Sequence, residues 1–162
     1  MTIDDLVAQQ EIRDVLIRYT RGVDRMDLEL VRSCYWPGAH DDHGAFQGTV
    51  EEFLEWLEVL RYYESTMHFI GNQLVELDGD TARAESYCVA YHRRSAQDGE
   101  EGHDLVLGLR YVDRMERRGD EWRIADRRCA FDWSRIDPIA GEWDFPPEAL
   151  RGTRDRDDPV HR

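Results

Sequence analysis

The sequence has no lysine, only three cysteines and no long apolar run, and each shortage excludes a class of protein. Without lysine there is no amine for Schiff-base chemistry, for pyridoxal-phosphate attachment or for a Walker phosphate loop. Cys34, Cys88 and Cys129 are odd in number and far apart, which argues against a disulfide framework or a zinc knuckle. No stretch reaches the roughly 18 apolar residues of a membrane span, and the N-terminus lacks a signal-peptide pattern, so we expect a cytoplasmic protein.

Basic residues are also scarce relative to acids. The 162 residues carry 35 acids against 21 bases, a formal charge of −14. Nucleic acids and anionic membranes would be repelled by this surface, so neither is expected as a partner. Hydrophobic residues make up 41% of the chain, which is enough for the core of one ordinary domain.

The N-terminal part has helical periodicity. Residues 3–22 are predicted to form an amphipathic helix that begins at an N-cap, Thr2. A second short helix is predicted to begin after Asp27 and to end at the Trp-Pro-Gly of residues 36–38. Residues 38–48 are predicted to form a strand with turns at its glycines, and Thr49 is predicted to cap a third helix.

After residue 65 the periodicity changes to that of β-strands. The predicted strands are residues 66–77, 81–94, 103–117 and 121–133. Helices segregated from antiparallel strands indicate an α+β fold, in which a curved, mainly antiparallel (mixed) sheet wraps over three helices as a cone with one deep pocket. This cone domain is expected to span residues 1–150, and the charged residues 151–162 are expected to form a mobile tail.

The strand predicted at 81–94 has small residues at alternate positions, which is typical of a strand that lines a cavity. The hypothesis is that apolar side chains form the pocket walls: Leu57, Cys88, Leu105, Leu107 and Phe131.

His68 and Asp24 are the candidate catalytic pair. His68 lies among strand-forming apolar residues, and Asp24 ends the apolar face of the first predicted helix. A carboxylate bonded to an imidazole fixes its tautomer and stabilises its protonated form, as a general base requires. The alternative is a hydrogen-bonded histidine of the core.

His92 and Arg127 have the same inward phase on neighbouring predicted strands. An inward arginine needs a neutralising anion, which would be a bound ligand or, in the alternative, Asp24 or another acid. His40 and His43 in the sequence HDDH are candidate metal ligands, but their spacing on a strand sends them to opposite faces, so no metal is assigned.

The segments TRGVDRMDLELV, STMHFIGN, YCVAYHRR and EWRIADRRCAFDW, taken in order, resemble the SnoaL-like group of the nuclear transport factor 2-like superfamily. The resemblance is greatest to its scytalone dehydratase, bile-acid dehydratase and hexachlorocyclohexane dehydrochlorinase members. It implies the cone fold, a homotrimer more often than a dimer, and an Asp–His dyad that abstracts a proton from carbon without metal or organic cofactor.

Carried over by motif, this machinery falls on Asp24 and His68, with His92 and Arg127 binding the leaving group or an oxyanion and Tyr19 donating a hydrogen bond. Val23 stands where scytalone dehydratase has a tyrosine. The resemblance therefore implies a cofactor-independent lyase or isomerase acting on a hydrophobic cyclic small molecule. The alternative is a noncatalytic ligand-binding member or a structural subunit similar to the β subunit of ring-hydroxylating dioxygenases.

Overall fold

The computed structural model describes residues 1–97 and 99–161 and has the α+β architecture predicted from the sequence. Asp98, in the predicted polar loop, and Arg162, in the predicted tail, lie outside the described residues. The helices are α1 (Ile3–Arg25), α2 (Leu28–Ser33) and α3 (Val50–Trp56), and the strands are β1 (Tyr35–Asp42), β2 (Gln47–Thr49), β3 (Ser65–Asp78), β4 (Thr81–Arg94), β5 (His103–Arg118) and β6 (Glu121–Pro138). Short 3-10 helices cover Leu57–Tyr62 and Pro159–His161.

Helix α1 brings the first candidate residues to the core. Its capping box is complete, because Thr2 and Asp5 each accept a hydrogen bond from the other's backbone N–H. Helix α1 continues three residues past the predicted end at residue 22 and stops where Met26 takes a left-handed conformation, φ 53°. The extra turn carries Asp24 over the sheet.

The boundary predicted for α2 was wrong. Helix α2 ends at Ser33, and residues 36–38, which were predicted to follow the helix, belong to β1. The register between β1 and β6 is irregular between Tyr35 and His40. Pro37 fits there because this part of the strand does not need a regular ladder of backbone donors.

The sheet contains six strands in the order β2-β1-β6-β5-β4-β3. Strands β3 to β6 form the predicted antiparallel meander, and β6 continues five residues past its predicted end at residue 133. Strand β1 pairs in parallel with β6, so the sheet is mixed. The sheet is curved and not closed, and α1 crosses its concave face, where it packs against β3 and β6.

The C-terminal residues 151–161 contact the domain. Asp158 is buried and its carboxylate lies 3.2 Å from Nε of Arg25. Arg154 donates hydrogen bonds to three backbone carbonyls of the domain. The mobility expected for this tail stays a prediction, because these contacts describe its position and not its motion.

A buried ion pair lies within the core. Arg127 on β6 and Asp113 on β5 are both fully buried, and Nε and Nη2 of Arg127 donate to the two carboxylate oxygens at 2.7 and 2.9 Å. The rings of Tyr19 and Tyr111 lie 4.0 and 4.2 Å from the guanidinium carbon. Two charges without water are tolerated here because the pair is bidentate and the cation contacts aromatic faces.

Replacing Asp113 by Asn should therefore lower the free energy of unfolding by about 3–5 kcal/mol, because the Arg127 charge would stay buried without an anion. The control is Asp80→Asn, which removes the carboxylate that pairs with Arg117 on the surface. This change should cost less than about 1 kcal/mol. Urea unfolding of both variants is the measurement, and equal losses would contradict the assignment.

Candidate active site

The structure brings Asp24 and His68 into direct contact. Oδ1 of Asp24 lies 2.7 Å from Nδ1 of His68 and accepts a hydrogen bond from the Thr66 hydroxyl at 2.9 Å. Oδ2 of Asp24 accepts the backbone N–H of His68, also at 2.9 Å. The two side chains are 13% and 8% exposed, so the contact is largely shielded from water. Three donors from one strand hold this carboxylate in a single orientation.

The hydrogen bonds also keep Asp24 charged. Burial raises the pKa of its carboxyl group, but the hydrogen bonds and the charge of His68, with the Thr66 hydroxyl, outweigh burial and leave the pKa below its ordinary value. An ionised carboxylate only accepts hydrogen bonds, so Nδ1 of His68 carries a proton and Nε2 is not part of this contact. This is the ring orientation that a general base acting through Nε2 needs.

His92 lies beside the pair on the neighbouring strand. Its ring meets that of His68 edge to face, with centroids 5.4 Å apart, and also contacts Tyr63. Burial, assisted by the neighbouring His68, lowers the pKa of His92 to about 4, so the ring is neutral near pH 7. Nδ1 of His92 is buried and has no hydrogen-bond partner within the described part of the chain. A ligand that entered here could supply the missing partner.

Tyr19 and Arg127, the other two predicted catalytic residues, bind internal partners instead. Arg127 pairs with Asp113 and not with Asp24, so the salt-bridge alternative describes its environment, with a different acid. The Tyr19 hydroxyl lies 3.1 Å from Nε2 of His43, and burial raises its pKa well above the ordinary value. These two side chains are held in the core by contacts that need no ligand.

Sequence reasoning missed a second Asp–His contact in this layer. Nδ1 of His43 contacts Asp41, whose other oxygen accepts the Tyr35 hydroxyl at 2.6 Å. His43 also stacks on Phe53, with centroids 4.5 Å apart. Strand alternation in HDDH contained the signal, because it places Asp41 and His43 on one face and His40 on the other.

The histidines of HDDH do not converge. The His40 ring is 41% exposed and lies 3.5 Å from Asp126, whereas the His43 ring is 12% exposed and points into the core. Within residues 1–97 and 99–161, no three His, Cys, Asp or Glu side chains are arranged to hold a metal ion.

The predicted wall residues differ in their positions. Leu57 and Cys88 are buried in the core, whereas Leu105 and Leu107 are partly buried and pair in register with His92 and Ala90, which places them on the concave face. Phe131 is 47% exposed and covers Gly44 at the open edge of the sheet. The surface includes two clefts of about 550 and 600 Å³, and neither Asp24 nor His68 lines them.

Within the described residues, no helix is long and apolar enough to cross a bilayer.

Sequence comparison finds relatives in mycobacteria. The uncharacterized protein Rv2910c of Mycobacterium tuberculosis is 28% identical over 131 residues, which cover 78% of this chain and 87% of the relative. A protein of Mycobacterium bovis, also uncharacterized, matches equally well. These relatives assign no activity.

Solved structures with a similar architecture include two proteins that are named for an enzyme activity. The putative scytalone dehydratase of Novosphingobium aromaticivorans has a TM-score of 0.74 at 18% identity and covers 88% of this chain and 100% of its own. The hexachlorocyclohexane dehydrochlorinase LinA-type3 of Novosphingobium barchaimii has a TM-score of 0.73 at 19% identity, with coverage of 90% and 99%. At such low identity these likenesses establish the fold alone.

The family itself follows from the sequence match. The model of the SnoaL-like domain matches residues 4–128, which include all but the first residue of α1, the Asp24–His68 pair and the buried Arg127–Asp113 pair. This range is most of the chain and contains every predicted catalytic residue. The protein belongs to the SnoaL-like domain family.

Proposed function

We propose that this protein is a cofactor-independent lyase or isomerase that removes a proton from carbon in a hydrophobic cyclic small molecule. The observation that carries the proposal is the 2.7 Å contact between Asp24 and Nδ1 of His68, reinforced by two further donors to the same carboxylate. A shielded imidazole with a fixed tautomer and a buried anion behind it is suited to general base catalysis.

In the proposed reaction, Nε2 of His68 takes a proton from a carbon next to an activating group. The electron pair of the broken C–H bond forms a double bond, and a leaving group departs in an elimination or the proton returns elsewhere in an isomerisation. Asp24 stabilises the imidazolium that forms, since its charge lies against Nδ1. A general base typically contributes about 10²–10⁴-fold in rate.

His92 is proposed to bind the polar group of the substrate. Its unpartnered Nδ1 lies next to His68. The hydroxyl of an alcohol substrate, or of the enol formed from a ketone, would donate a hydrogen bond to this nitrogen. Leu105 and Leu107 extend the same concave face with apolar surface. These features support a largely apolar, oxygenated substrate, in line with the dehydratase name of one structural neighbour.

Tyr19 and Arg127 are proposed to stabilise the core of the domain that carries the site. Because Arg127 pairs with Asp113 and the Tyr19 hydroxyl contacts His43, we propose that these two side chains keep the core rigid. A leaving group would reach Arg127 only through Nη1, which has no hydrogen-bond partner within the described residues.

Replacing His68 by Ala or Asp24 by Asn should abolish turnover with little change in the far-UV spectrum. We expect a loss of about 10²–10⁴-fold in kcat/KM for His68→Ala, since the base is removed. The assay follows double-bond formation by ultraviolet absorbance with a panel of cyclic alcohols, ketones and halides that have an activated C–H bond. The matched control is His40→Ala, which removes an imidazole from the outer face. Full activity of His68→Ala on a substrate turned over by the wild type would exclude the proposed base.

Because His92 is neutral in the folded protein, its contribution to the free energy of unfolding depends on pH. An unfolded histidine has a pKa near 6.5, and the folded value here is about 4, so the unfolded state binds more protons between these limits. The contribution of His92 to stability is therefore complete above about pH 6.5 and declines as the pH falls towards 4, by up to about 3 kcal/mol. NMR titration of the His92 ring measures the folded value directly. Titration near pH 6.5 would contradict a buried neutral ring.

A noncatalytic role is the second candidate, and what covers the outer face of the sheet distinguishes it from the enzyme. Apolar side chains on this face are 42–65% exposed: Met67, Phe69, Tyr87, Tyr91 and Trp133. Such a surface is suited to a partner subunit. We propose that further copies of this chain cover it, as a trimer rather than a dimer, whereas a structural subunit would use it for a larger partner.

Sedimentation equilibrium of the purified chain tests the assembly. We expect a homotrimer, and Phe69→Glu should dissociate it because the charge would be buried at the interface. The control is Ile17→Glu, which adds the same charge at an exposed apolar position on α1, outside the sheet. A wild-type monomer that associates only with another protein from its source would favour the structural role.

A further inference from the structure

The C-terminal residues 151–161 reach the back of the dyad through one arginine. Nη1 of Arg154 donates to the carbonyls of Leu60 and Tyr63, both at 2.8 Å, and Nε donates to the carbonyl of Asp24 at 3.3 Å. Asp24 lies in the last turn of α1, where carbonyls lack partners within the helix. One guanidinium thus connects the end of α1 with the turn that leads into β3.

The rest of the segment is anchored beside this contact. Asp158 pairs with Arg25, the residue after Asp24, and accepts the backbone N–H groups of Thr153 and Val160 at 2.8 and 3.0 Å. These bonds fold the segment into a compact turn. Arg154 therefore does not approach Asp24 as an isolated side chain, because the turn around Asp158 fixes where it begins.

The charge of Arg154 also acts on the dyad and its neighbour. Half-buried, the guanidinium interacts with the charges of Asp24 on α1 and of Arg61 and Arg25 nearby. His92 on β4 experiences the charges of His68 on β3, Asp24 and Arg154. A cation fixed here favours the ionised form of Asp24 and disfavours protonation of His92.

We propose that Arg154 is a positioning residue of the active site, which holds the backbone of Asp24 against the turn preceding β3 and supplies a fixed positive charge behind the dyad. The catalytic part of this proposal rests on the proposed function, since an Asp24–His68 pair that catalyses no reaction would not need to be positioned. Residues 151–161 are then part of the site, although the family model ends at residue 128.

The test compares three variants. Arg154→Gln removes the charge and most of the donors, Arg154→Lys keeps the charge with a single donor group, and Arg156→Gln is the control. Arg156 lies on the same segment, but its side chain is 79% exposed and lies 3.9 Å from Asp27. All three are first checked for folding by far-UV circular dichroism.

Two readouts do not depend on catalysis. Arg154→Gln should raise the pKa of His92 by roughly 0.5–1 unit in an NMR titration, because a nearby positive charge is lost. It should also accelerate hydrogen exchange of the His68 amide, which donates to Asp24. Arg154→Lys should keep the pKa of His92 near the wild-type value but accelerate the same exchange. If Arg154→Gln does not fold, Arg154→Lys alone tests the positioning role through the exchange rate.

Turnover gives the third readout. With a substrate that the wild type turns over, kcat of Arg154→Gln should fall by about 10- to 100-fold with a smaller change in KM, because the base is misplaced. Shifts at His92 and His68 without any wild-type turnover would preserve the positioning role and reject the catalytic one. Identical titration and exchange in Arg154→Gln and Arg156→Gln would overturn the inference.

Discussion

The carboxylate of Asp24 joins helix α1 to strand β3, and this contact forms the candidate site. It lies in the last turn of α1 and accepts hydrogen bonds from a hydroxyl, a backbone amide and an imidazole, all supplied by the start of β3. Removing this group would leave three donors without an acceptor in a largely buried place. The same contact that fixes the helix on the sheet therefore also sets the tautomer of His68, so stability and proposed chemistry depend on one interaction.

Much of this arrangement could be predicted because its signals are local. Capping residues mark the starts of α1 and α3, and strict alternation of small residues marks β4 and its inward face. The family motifs then placed Asp24 and His68 in one site. The predicted end of α2 was less accurate. Pro37 signals the interruption of a helix, but it fits equally well in a strand where the register is irregular.

The sequence shows that Arg127 needs an anion but does not show which group supplies it. Inward phase on a strand shows that a cation needs an anion, but the choice among Asp24, Asp113 and a ligand depends on strand register. Register brings Asp113 on β5 opposite Arg127 on β6, whereas Asp24 is occupied by β3. The contacts of Arg154 were inaccessible for a similar reason: they go to backbone carbonyls, which have no signature in the sequence.

The parallel pairing of β1 with β6 has a consequence for synthesis of the chain. Strand β1 leaves the ribosome before β2, β3, β4 and β5, but one of its two neighbours in the sheet, β6, is made after all of them. Until residues 121–138 emerge, the backbone donors and acceptors along one edge of β1 lack their partners. Nascent chains of this protein must therefore keep that edge of β1 unpaired while β3, β4 and β5 are made, and in this interval the edge is open to pairing with another chain and to aggregation.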